Sequence, residues 1–280
     1  MTVTEILAAA REIDRSRGVD ATVWDSRILL AHSVGSRNPL ALDPLQDVPA
    51  AAAARFERLW EERLSGVPVQ HLVGEWDFFG RPFFVDSRAL VPRPETELLI
   101  ETALAEAPGE VRLLDLGTGS GILAVTWVLE RPASRALAVD TSIEALALAR
   151  ENALRHGVSG RLDVVGSDWT SALSDAASFD LAISNPPYLA LGEAAELSPT
   201  VRDHDPEAAL FAGEDGLDAI RRLLEGLPPL LLPGAPFVFE IGAGQAPAIE
   251  REVAHRREWR LDRIVPDLAG IPRAVVLSRT

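Results

Sequence analysis

Apolar residues in the first part of the chain recur every three or four positions, the spacing of one face of an α-helix. Three such segments lie at about 6–13, 24–32 and 50–64, and the last is rich in alanine. Together they predict a small helical bundle over residues 1–72. This part of the chain contains no arrangement of side chains typical of a catalytic site, so we expect the chemistry to lie further along.

A pattern typical of β-structure begins after the bundle. Two short aromatic segments, 76–79 and 82–85, flank Gly80-Arg81. Such segments around a glycine-containing turn favour two antiparallel strands. We interpret residues 73–90 as a β-hairpin linker between the bundle and a second domain.

Residues 91–280 follow the pattern of an α/β domain. Pro92 and Pro94 restrict the backbone ahead of a helix predicted for residues 95–107, and from Val111 onward short apolar segments alternate with amphipathic ones. Strands buried between two layers of helices read as short apolar runs, so we predict a mostly parallel seven-stranded sheet, covered on both faces, with an antiparallel pair at one edge. The predicted strands are 111–116, 135–140, 161–165, 179–184, 235–241, 260–265 and 273–278, and the later helices are 121–131, 143–156, 217–232 and 246–257.

The composition excludes several kinds of chemistry. The chain has 280 residues with no cysteine, and all 27 of its Lys+Arg residues are arginine. Disulfides, thiolate nucleophiles, cysteine-based zinc sites and lysine Schiff bases are therefore excluded. The five histidines include no pair four residues apart, so we expect no metal site.

The charge balance and the lack of long apolar stretches bear on partners and location. With 42 acidic residues the formal net charge is −15, which is unfavourable for a protein that follows a phosphate backbone, so we expect no direct nucleic-acid substrate. No stretch approaches the ~18 consecutive apolar residues of a membrane span. The first residues lack the basic start and apolar run of a signal peptide, and we expect a cytoplasmic protein.

A glycine-rich segment follows the first predicted strand of the α/β domain and opens a helix. It reads Asp115-Leu116-Gly117-Thr118-Gly119-Ser120-Gly121. Glycines at such a turn let the backbone approach a ligand closely and direct amide N–H groups at it. The Gly-x-Gly-x-Gly spacing differs from the dinucleotide fingerprint Gly-x-Gly-x-x-Gly, and an acid precedes it by two positions. This combination favours S-adenosylmethionine as the ligand over a glycine turn that binds nothing.

Acidic and aromatic residues follow the next two predicted strands, at the edge where ligands bind in such sheets. Asp140 can accept both hydroxyls of a ribose, although an Asp in this position can instead cap the following helix. Asp168 can accept from an adenine amino group, and Trp169 can pack against the base. For this pair the alternative, a helix cap beside a core tryptophan, stays open.

The segment Asn185-Pro186-Pro187-Tyr188 directly follows the apolar strand predicted for residues 179–184. Its two prolines fix a rigid extended turn. The turn presents the Asn185 side-chain oxygen and the Pro186 carbonyl as two acceptors for a planar NH2 group, with the Tyr188 ring beside them.

Methylating an amide nitrogen is difficult because its lone pair is delocalised into the carbonyl. Two fixed acceptors orient the group and stabilise the charge that develops on nitrogen. Asn185, Pro186 and Tyr188 are therefore the candidate catalytic residues, and Pro187 completes the candidate acceptor site. A plain proline turn is the alternative.

These motifs resemble those of methyltransferases that act on planar amino groups, and further segments narrow the resemblance. Three further segments resemble those of the release-factor glutamine N5-methyltransferases: residues 91–97, residues 70–85, and Asp267-Leu268-Ala269-Gly270 followed by Arg273. The similarity runs discontinuously from about residue 66 to residue 280. The bundle fits mainly by length and helicity.

The resemblance implies a class I, Rossmann-like methyltransferase domain behind a helical bundle that recognises the substrate. It implies S-adenosylmethionine as donor, S-adenosylhomocysteine as product, and the glutamine of the Gly-Gly-Gln loop of peptide-chain release factors as acceptor, with an effect on translation termination. By position, residues 117–121, Asp140, Trp169 and Asn185 contact the donor, and residues 185–188 hold the acceptor. The role of Asp168 rests on its own chemistry. We expect a monomer.

Two segments depart from the family pattern. His71 stands where an aromatic residue usually follows the glutamine, and His204-Asp205-Pro206 replaces an aromatic-Glu-Pro run. Both changes keep size and some polarity, so they affect contact details rather than the reaction.

Three other functions share parts of this motif set. The segment Pro94-Glu95-Thr96-Glu97 disfavours an enzyme that methylates a glutamine of a ribosomal protein. The negative net charge disfavours an enzyme that methylates amino groups of nucleic acids. A donor-binding protein that docks on the translation machinery without catalysis is disfavoured by the intact segment 185–188.

Overall fold

The computed structural model describes residues 1–17, 22–174 and 178–280. The chain divides into two compact units. The helical unit consists of Met1–Trp76 and Glu196–Asp205, and the sheet unit of Asp77–Ala195 and Pro206–Thr280. A segment late in the chain therefore belongs to the unit built mainly from its beginning.

The helical unit confirms the N-terminal helices expected from the sequence. Its helices are α1 (Val3–Arg17), α2 (Val23–Ser33), α3 (Ala50–Leu64), α4 (Val69–Val73) and α8 (Pro199–His204). A capping box starts α2: the Thr22 hydroxyl accepts from the Asp25 amide, and the Asp25 carboxylate accepts from the Thr22 amide. The apolar core contains Leu29 and the stacked rings of Phe56 and Trp60.

The boundary between the two units falls within a short antiparallel hairpin. Strand β1 (Glu75–Phe78) pairs with β2 (Arg81–Phe84), and the two turn residues, Phe79 and Gly80, have φ angles of 52° and 71°. Positive φ at both positions matches the twist of a two-residue hairpin. The expected hairpin is present, with its turn one residue earlier than the sequence pattern suggested.

Seven strands form one sheet in the sheet unit. They are β3 (Arg112–Leu116), β4 (Arg135–Asp140), β5 (Leu162–Gly166), β6 (Leu181–Ser184), β7 (Pro236–Glu240), β8 (Trp259–Pro266) and β9 (Pro272–Arg279). The order is β5-β4-β3-β6-β7-β9-β8, with β9 antiparallel to both of its neighbours and the other pairs parallel. This confirms the mostly parallel seven-stranded sheet with an antiparallel edge.

Helices cover both faces of this sheet. They are α5 (Glu97–Glu106), α6 (Ile122–Glu130), α7 (Ile143–Arg155), α9 (Asp218–Gly226) and α10 (Ala246–Ala254). Neighbouring residues of one strand enter opposite apolar layers, as Leu113 and Leu114 do on β3 and Phe237 and Val238 on β7. Burial on both faces explains why the strands read as short apolar runs.

Several predicted helices are shorter than their sequence patterns, and one is shortened most. The helix expected over 217–232 ends at Gly226, and Pro228–Leu230 continues as a single 3-10 turn. The proline rings lack the amide hydrogen that an α-helix needs and clash with the preceding turn.

Among residues 1–17, 22–174 and 178–280, which the structure describes, no helix is both long and apolar enough to cross a membrane. The same ranges contain no group of three or more His, Asp or Glu side chains arranged to hold a metal ion.

Candidate functional site

The strand order reverses at β3, which lies between β4 and β6. In open α/β sheets the loops on either side of such a reversal diverge and leave a crevice at the carboxyl ends of the strands. A cavity with an empty volume of about 1020 Å³, its open mouth included, lies here. Its walls include Ala89, Pro92, Arg93, Thr96, residues 117–120, residues 140–142, Ser167, Trp169, Asn185, Pro187 and Pro206.

The loop after β3 takes its shape from its glycines. Gly117, Gly119 and Gly121 have positive φ angles of 70°, 54° and 79°, which other residues rarely adopt. A Cβ atom on Gly121 would lie 2.9 Å from the Cβ of Ala149 in α7, so there is no space for a side chain. The loop therefore lines the cavity with residues 117–120, while Gly121 starts α6 behind them.

Asp115 supports this loop from the end of β3. Its Oδ2 accepts from the Thr118 hydroxyl at 2.6 Å and from the Ala124 amide at 3.2 Å. The side chain is fully buried, and burial raises its pKa to about 7. The acid two positions before the first glycine thus holds both the loop and the first turn of α6.

Asp140 lies at the carboxyl end of β4 with its side chain at the cavity wall. Its Oδ2 accepts from the Gly119 amide and its Oδ1 from the Ser142 amide, both at 2.9 Å. Ser142, rather than Asp140, caps α7, because its hydroxyl accepts from the Ala145 amide. Each Asp140 oxygen retains a lone pair for a second hydrogen bond, which fits the two hydroxyls of a ribose.

Of the two residues expected to contact an adenine, one lines the cavity and the other does not. Trp169 lines the cavity with a positive φ of 52°, and its ring comes within 3.3 Å of the position that a Cβ on Gly117 would take. Asp168 is not among the described residues of the cavity wall, and its carboxylate pairs with Arg222 at 2.6 Å near the surface. The ion pair uses only Oδ2 of Asp168, and a role for this residue at the adenine stays a prediction.

The segment after β6 reaches the same cavity. Asn185 and Pro187 line its wall, whereas Pro186 and Tyr188 are not among the wall residues that the structure describes. Asn185 thus shares the cavity with the glycine loop, Asp140 and the indole ring, as expected from the sequence motifs.

Thr96 and Glu240 hold the polar ends of this segment, although neither stood out from the sequence as a site residue. The Asn185 Nδ2 donates to Thr96 Oγ1 at 3.1 Å, and the Thr96 hydroxyl donates to Glu240 Oε2 at 2.9 Å. The Tyr188 hydroxyl donates to Glu240 Oε1 at 3.3 Å. Thr96 and Glu240 are each only 2% exposed. The sequence feature that could have revealed Glu240 is its place at the end of an apolar strand, because a buried carboxylate needs polar partners.

Burial and charge set the protonation of this cluster. Burial raises the pKa of Glu240 to about 7, although the hydrogen bonds from Thr96 and Tyr188 and the nearby Arg273 act to lower it. Burial and the Glu240 charge raise the pKa of the Tyr188 hydroxyl. The hydroxyl therefore stays protonated and donates, while the Tyr188 carbonyl accepts from Gln245 Nε2 at 2.9 Å.

The positions that depart from the family pattern, His71, His204 and Asp205, all belong to the helical unit. His71 lies on α4 and His204 ends α8, where its Nε2 would be 3.4 Å from a Cβ on Gly66. Asp205 is buried, and Pro206 lines the cavity.

Comparisons of the sequence with known protein families and relatives give consistent matches. Residues 94–199 match the methyltransferase small domain, and residues 5–74 match the PrmC N-terminal domain. A release factor glutamine methyltransferase of Cereibacter sphaeroides is 45% identical over 279 residues, which cover 98% of each chain. Another, from Koribacter versatilis, is 41% identical over 235 residues and covers 83% of this chain and 82% of its own.

Among solved structures, the hMettl16 catalytic domain in complex with the MAT2A 3'UTR hairpin 1 matches with a TM-score of 0.57. It covers 91% of each chain at 14% identity. A likeness at this identity concerns the fold and not the substrate.

Proposed function

Since this chain belongs to the family of release factor glutamine methyltransferases and is an S-adenosylmethionine-dependent protein-glutamine methyltransferase, we propose that it methylates the side-chain nitrogen N5 of the glutamine in the Gly-Gly-Gln motif of peptide-chain release factors. The modification modulates translation termination, and the enzyme acts in the cytoplasm, where termination takes place. The observation that carries the proposal is the fixed Asn185 amide at the cavity wall, with Nδ2 bonded to Thr96.

The acceptor glutamine lies between the fixed groups of the Asn-Pro-Pro-Tyr segment. Asn185 Oδ1 and the Pro186 carbonyl accept its two N–H groups, and the Tyr188 ring and Pro187 fix its plane. S-adenosylmethionine supplies a methyl group on a sulfonium: the amide nitrogen bonds to the methyl carbon as the S–CH3 bond breaks, S-adenosylhomocysteine leaves, and the nitrogen loses one proton to water. The two acceptor oxygens orient the amide nitrogen and stabilise the positive charge that develops on it, so catalysis consists mainly of positioning and preorganised dipoles.

Asn185 also contacts the donor, which is otherwise held by residues outside the acceptor segment. The backbone of residues 117–121 surrounds its amino-acid end, Asp140 accepts the ribose hydroxyls, and Trp169 packs against the adenine. The free lone pairs on the Asp140 oxygens support the ribose contact. Asp168 accepts from the adenine amino group through Oδ1, since Oδ2 pairs with Arg222.

The helical unit is proposed to recognise the release factor, in a monomeric enzyme. Two features support this role. The helical unit contains no part of the glycine loop or of the strand ends that carry the donor residues, and residues 196–205, which follow the acceptor segment along the chain, belong to it.

A methyl-transfer assay tests the proposal. Labelled donor is incubated with the enzyme and a purified release factor, with the same release factor carrying Gln→Ala in its Gly-Gly-Gln loop, and with ribosomal subunits. We expect label on the first acceptor only. Label on the ribosomal fraction alone would overturn the choice of substrate. If an enzyme that binds the donor labels none of the three acceptors, the proposed methyl transfer itself is overturned.

A further inference from the structure

Thr96 and Glu240 lie behind the candidate acceptor segment and connect its two polar ends. Thr96 directly precedes α5, and Glu240 ends β7. Thr96 bonds to both Asn185 and Glu240, and Glu240 also receives the Tyr188 hydroxyl. A single buried carboxyl group thereby holds the two side chains that flank Pro186-Pro187.

The charge of Glu240 sets the direction of each hydrogen bond in this network. An ionised carboxylate only accepts, so the Thr96 hydroxyl donates its hydrogen bond to Glu240. The Thr96 oxygen then remains as an acceptor, which the Asn185 NH2 group satisfies at 3.1 Å. The oxygen of the Asn185 amide is therefore the end that can accept from a substrate N–H group.

A neutral carboxyl group at this position allows the opposite arrangement. Its O–H donates to Thr96, the Thr96 hydroxyl donates to Asn185 Oδ1, and the Asn185 NH2 group turns away from Thr96. Two NH2 groups, those of Asn185 and of the acceptor glutamine, then face each other as donors without an acceptor between them. The carboxylate thus excludes an orientation in which the acceptor cannot bind.

We propose that Glu240 and Thr96 are positioning residues for methyl transfer, which act through Asn185 by fixing which end of its amide meets the acceptor glutamine. This inference rests on the proposed function, in which Asn185 accepts the N–H group of that glutamine. It gives a role to Thr96 of the linker segment 94–97, whose sequence pattern alone showed no chemistry.

The network makes turnover depend on pH. The charged or titratable groups that act on Glu240 are Arg273 of β9, Tyr188 after β6, and Glu95 in the turn before α5. Burial is the largest cause and raises the pKa of Glu240 to about 7; the Glu95 charge acts in the same direction, whereas the hydrogen bond from Thr96, the Arg273 charge and the hydrogen bond from Tyr188 lower the pKa. The carboxylate that orients Asn185 therefore forms as the pH rises through 7, and turnover with saturating donor and release factor rises over the same range.

Three variants of the full chain test the inference. Thr96→Val removes the hydroxyl and nearly keeps the shape, whereas Thr96→Ser keeps the hydroxyl and removes a methyl group. Glu240→Gln keeps the shape but removes the charge that fixes the direction of the network. For each variant, turnover is measured on both sides of pH 7 with saturating donor and release factor, donor Kd by calorimetry, and thermal unfolding on the same preparation.

We expect Thr96→Val and Glu240→Gln to reduce turnover at least about tenfold while donor Kd stays within about twofold. Thr96→Ser should keep turnover within about threefold of the wild type. The rise in turnover through pH 7 should disappear in Glu240→Gln. A purely structural role predicts the opposite order at position 96, because valine preserves the packed volume and serine leaves a gap.

Wild-type turnover in Thr96→Val and Glu240→Gln would overturn the inference, as would losses that simply follow donor binding and thermal stability. These results differ from a failure of the proposed function. In that case the wild-type chain itself leaves the release factor unmethylated, and the inference falls with it.

Discussion

Asn185 is the residue on which the proposed chemistry depends most directly. In the proposed chemistry, its replacement by alanine removes an acceptor that contacts the developing charge on the substrate nitrogen. We expect Asn185→Ala to lower turnover by about 10²-fold or more while donor affinity falls less, as is typical of a contact made in the transition state. Turnover with saturating release factor and calorimetric donor binding measure the two effects. A parallel collapse of donor affinity would show that Asn185 mainly shapes the donor pocket.

Tyr188 offers a subtler test, because its hydroxyl donates to Glu240 and helps to lower the pKa of that carboxyl group. Tyr188→Phe keeps the ring but removes this hydrogen bond, so the pKa of Glu240 rises. We expect the pH at which turnover rises to become more alkaline, with only a roughly two- to fivefold loss of turnover at high pH. Profiles of turnover against pH for both proteins check this. A severe loss with an unshifted profile would mean that the hydroxyl takes part in the reaction itself.

The buried carboxyl groups Asp115 and Glu240 link stability to pH. Burial raises both pKa values to about 7. The folded chain then binds more protons than the unfolded chain, so the stability that these groups contribute is greatest below their unfolded pKa values and is lost as the pH rises through 7. We expect Glu240→Gln to change the free energy of unfolding little at about pH 4 and to raise it by roughly 2–3 kcal/mol at about pH 8.

Denaturant titrations of the wild type and of Glu240→Gln at the two pH values measure this difference. A variant that is less stable than the wild type on the alkaline side would show that the interactions of the carboxylate with Thr96, Tyr188 and Arg273 outweigh its burial. The expected combination, a more stable but less active protein, cannot arise from a general loss of structure.

At the scale of single residues, the sequence predicts site residues that stand together in one continuous motif. It does not predict contacts between residues that lie far apart along the chain. The glycine loop, Asp140 and Asn185 stand in local patterns whose chemistry can be recognised. Thr96 and Glu240 are 144 positions apart, and their contact depends on the packing of α5 against β7. No pattern within a single segment encodes that contact.

At the scale of elements, the close approach of α6 and α7 explains why Gly121 tolerates no side chain. Gly121→Ala adds a Cβ atom 2.9 Å from the Cβ of Ala149 at a φ of 79°. Gly157→Ala is the matched control, since its φ is 68° and no atom lies within 4 Å of the added Cβ. We expect the control to lose about 1–2 kcal/mol from backbone strain alone, and Gly121→Ala to lose about 1–3 kcal/mol more, with weaker donor binding.

Denaturant unfolding and donor calorimetry of the two glycine variants separate backbone strain from packing. Equal stability of the two would contradict the tight contact between the start of α6 and α7. Normal donor binding by Gly121→Ala would show that the loop keeps its shape without that contact.

The periodicity of apolar residues predicts whether an element is a helix or a strand. Several element boundaries depend instead on local residues, such as prolines, turn residues and caps. The helix expected over 217–232 ends at Gly226 because prolines follow. The hairpin turn uses Phe79 at a φ of 52°, although a bulky residue disfavours that conformation. The six-residue helix α8 is too short to show a periodic pattern, and it starts where the Ser198 hydroxyl accepts from the Val201 amide.

At the scale of the whole molecule, the alternation of short apolar segments with amphipathic ones was sufficient to predict the α/β class and the antiparallel edge. The division of the chain into units was less accessible. Residues 196–205 belong to the helical unit although they follow the acceptor segment of the sheet unit. The unit to which a short segment belongs depends on the surface against which it packs, and the composition of the segment does not reveal that surface.

The most direct test of the central claim is fragmentation mass spectrometry of a release factor after incubation with this enzyme and S-adenosylmethionine. We expect one added methyl group, located on the side-chain nitrogen of the glutamine in the Gly-Gly-Gln motif, and its near-complete loss when Asn185→Ala replaces the wild-type enzyme. A methyl group on any other residue, or an unmodified release factor beside a methylated ribosomal protein or RNA, would contradict the proposed substrate.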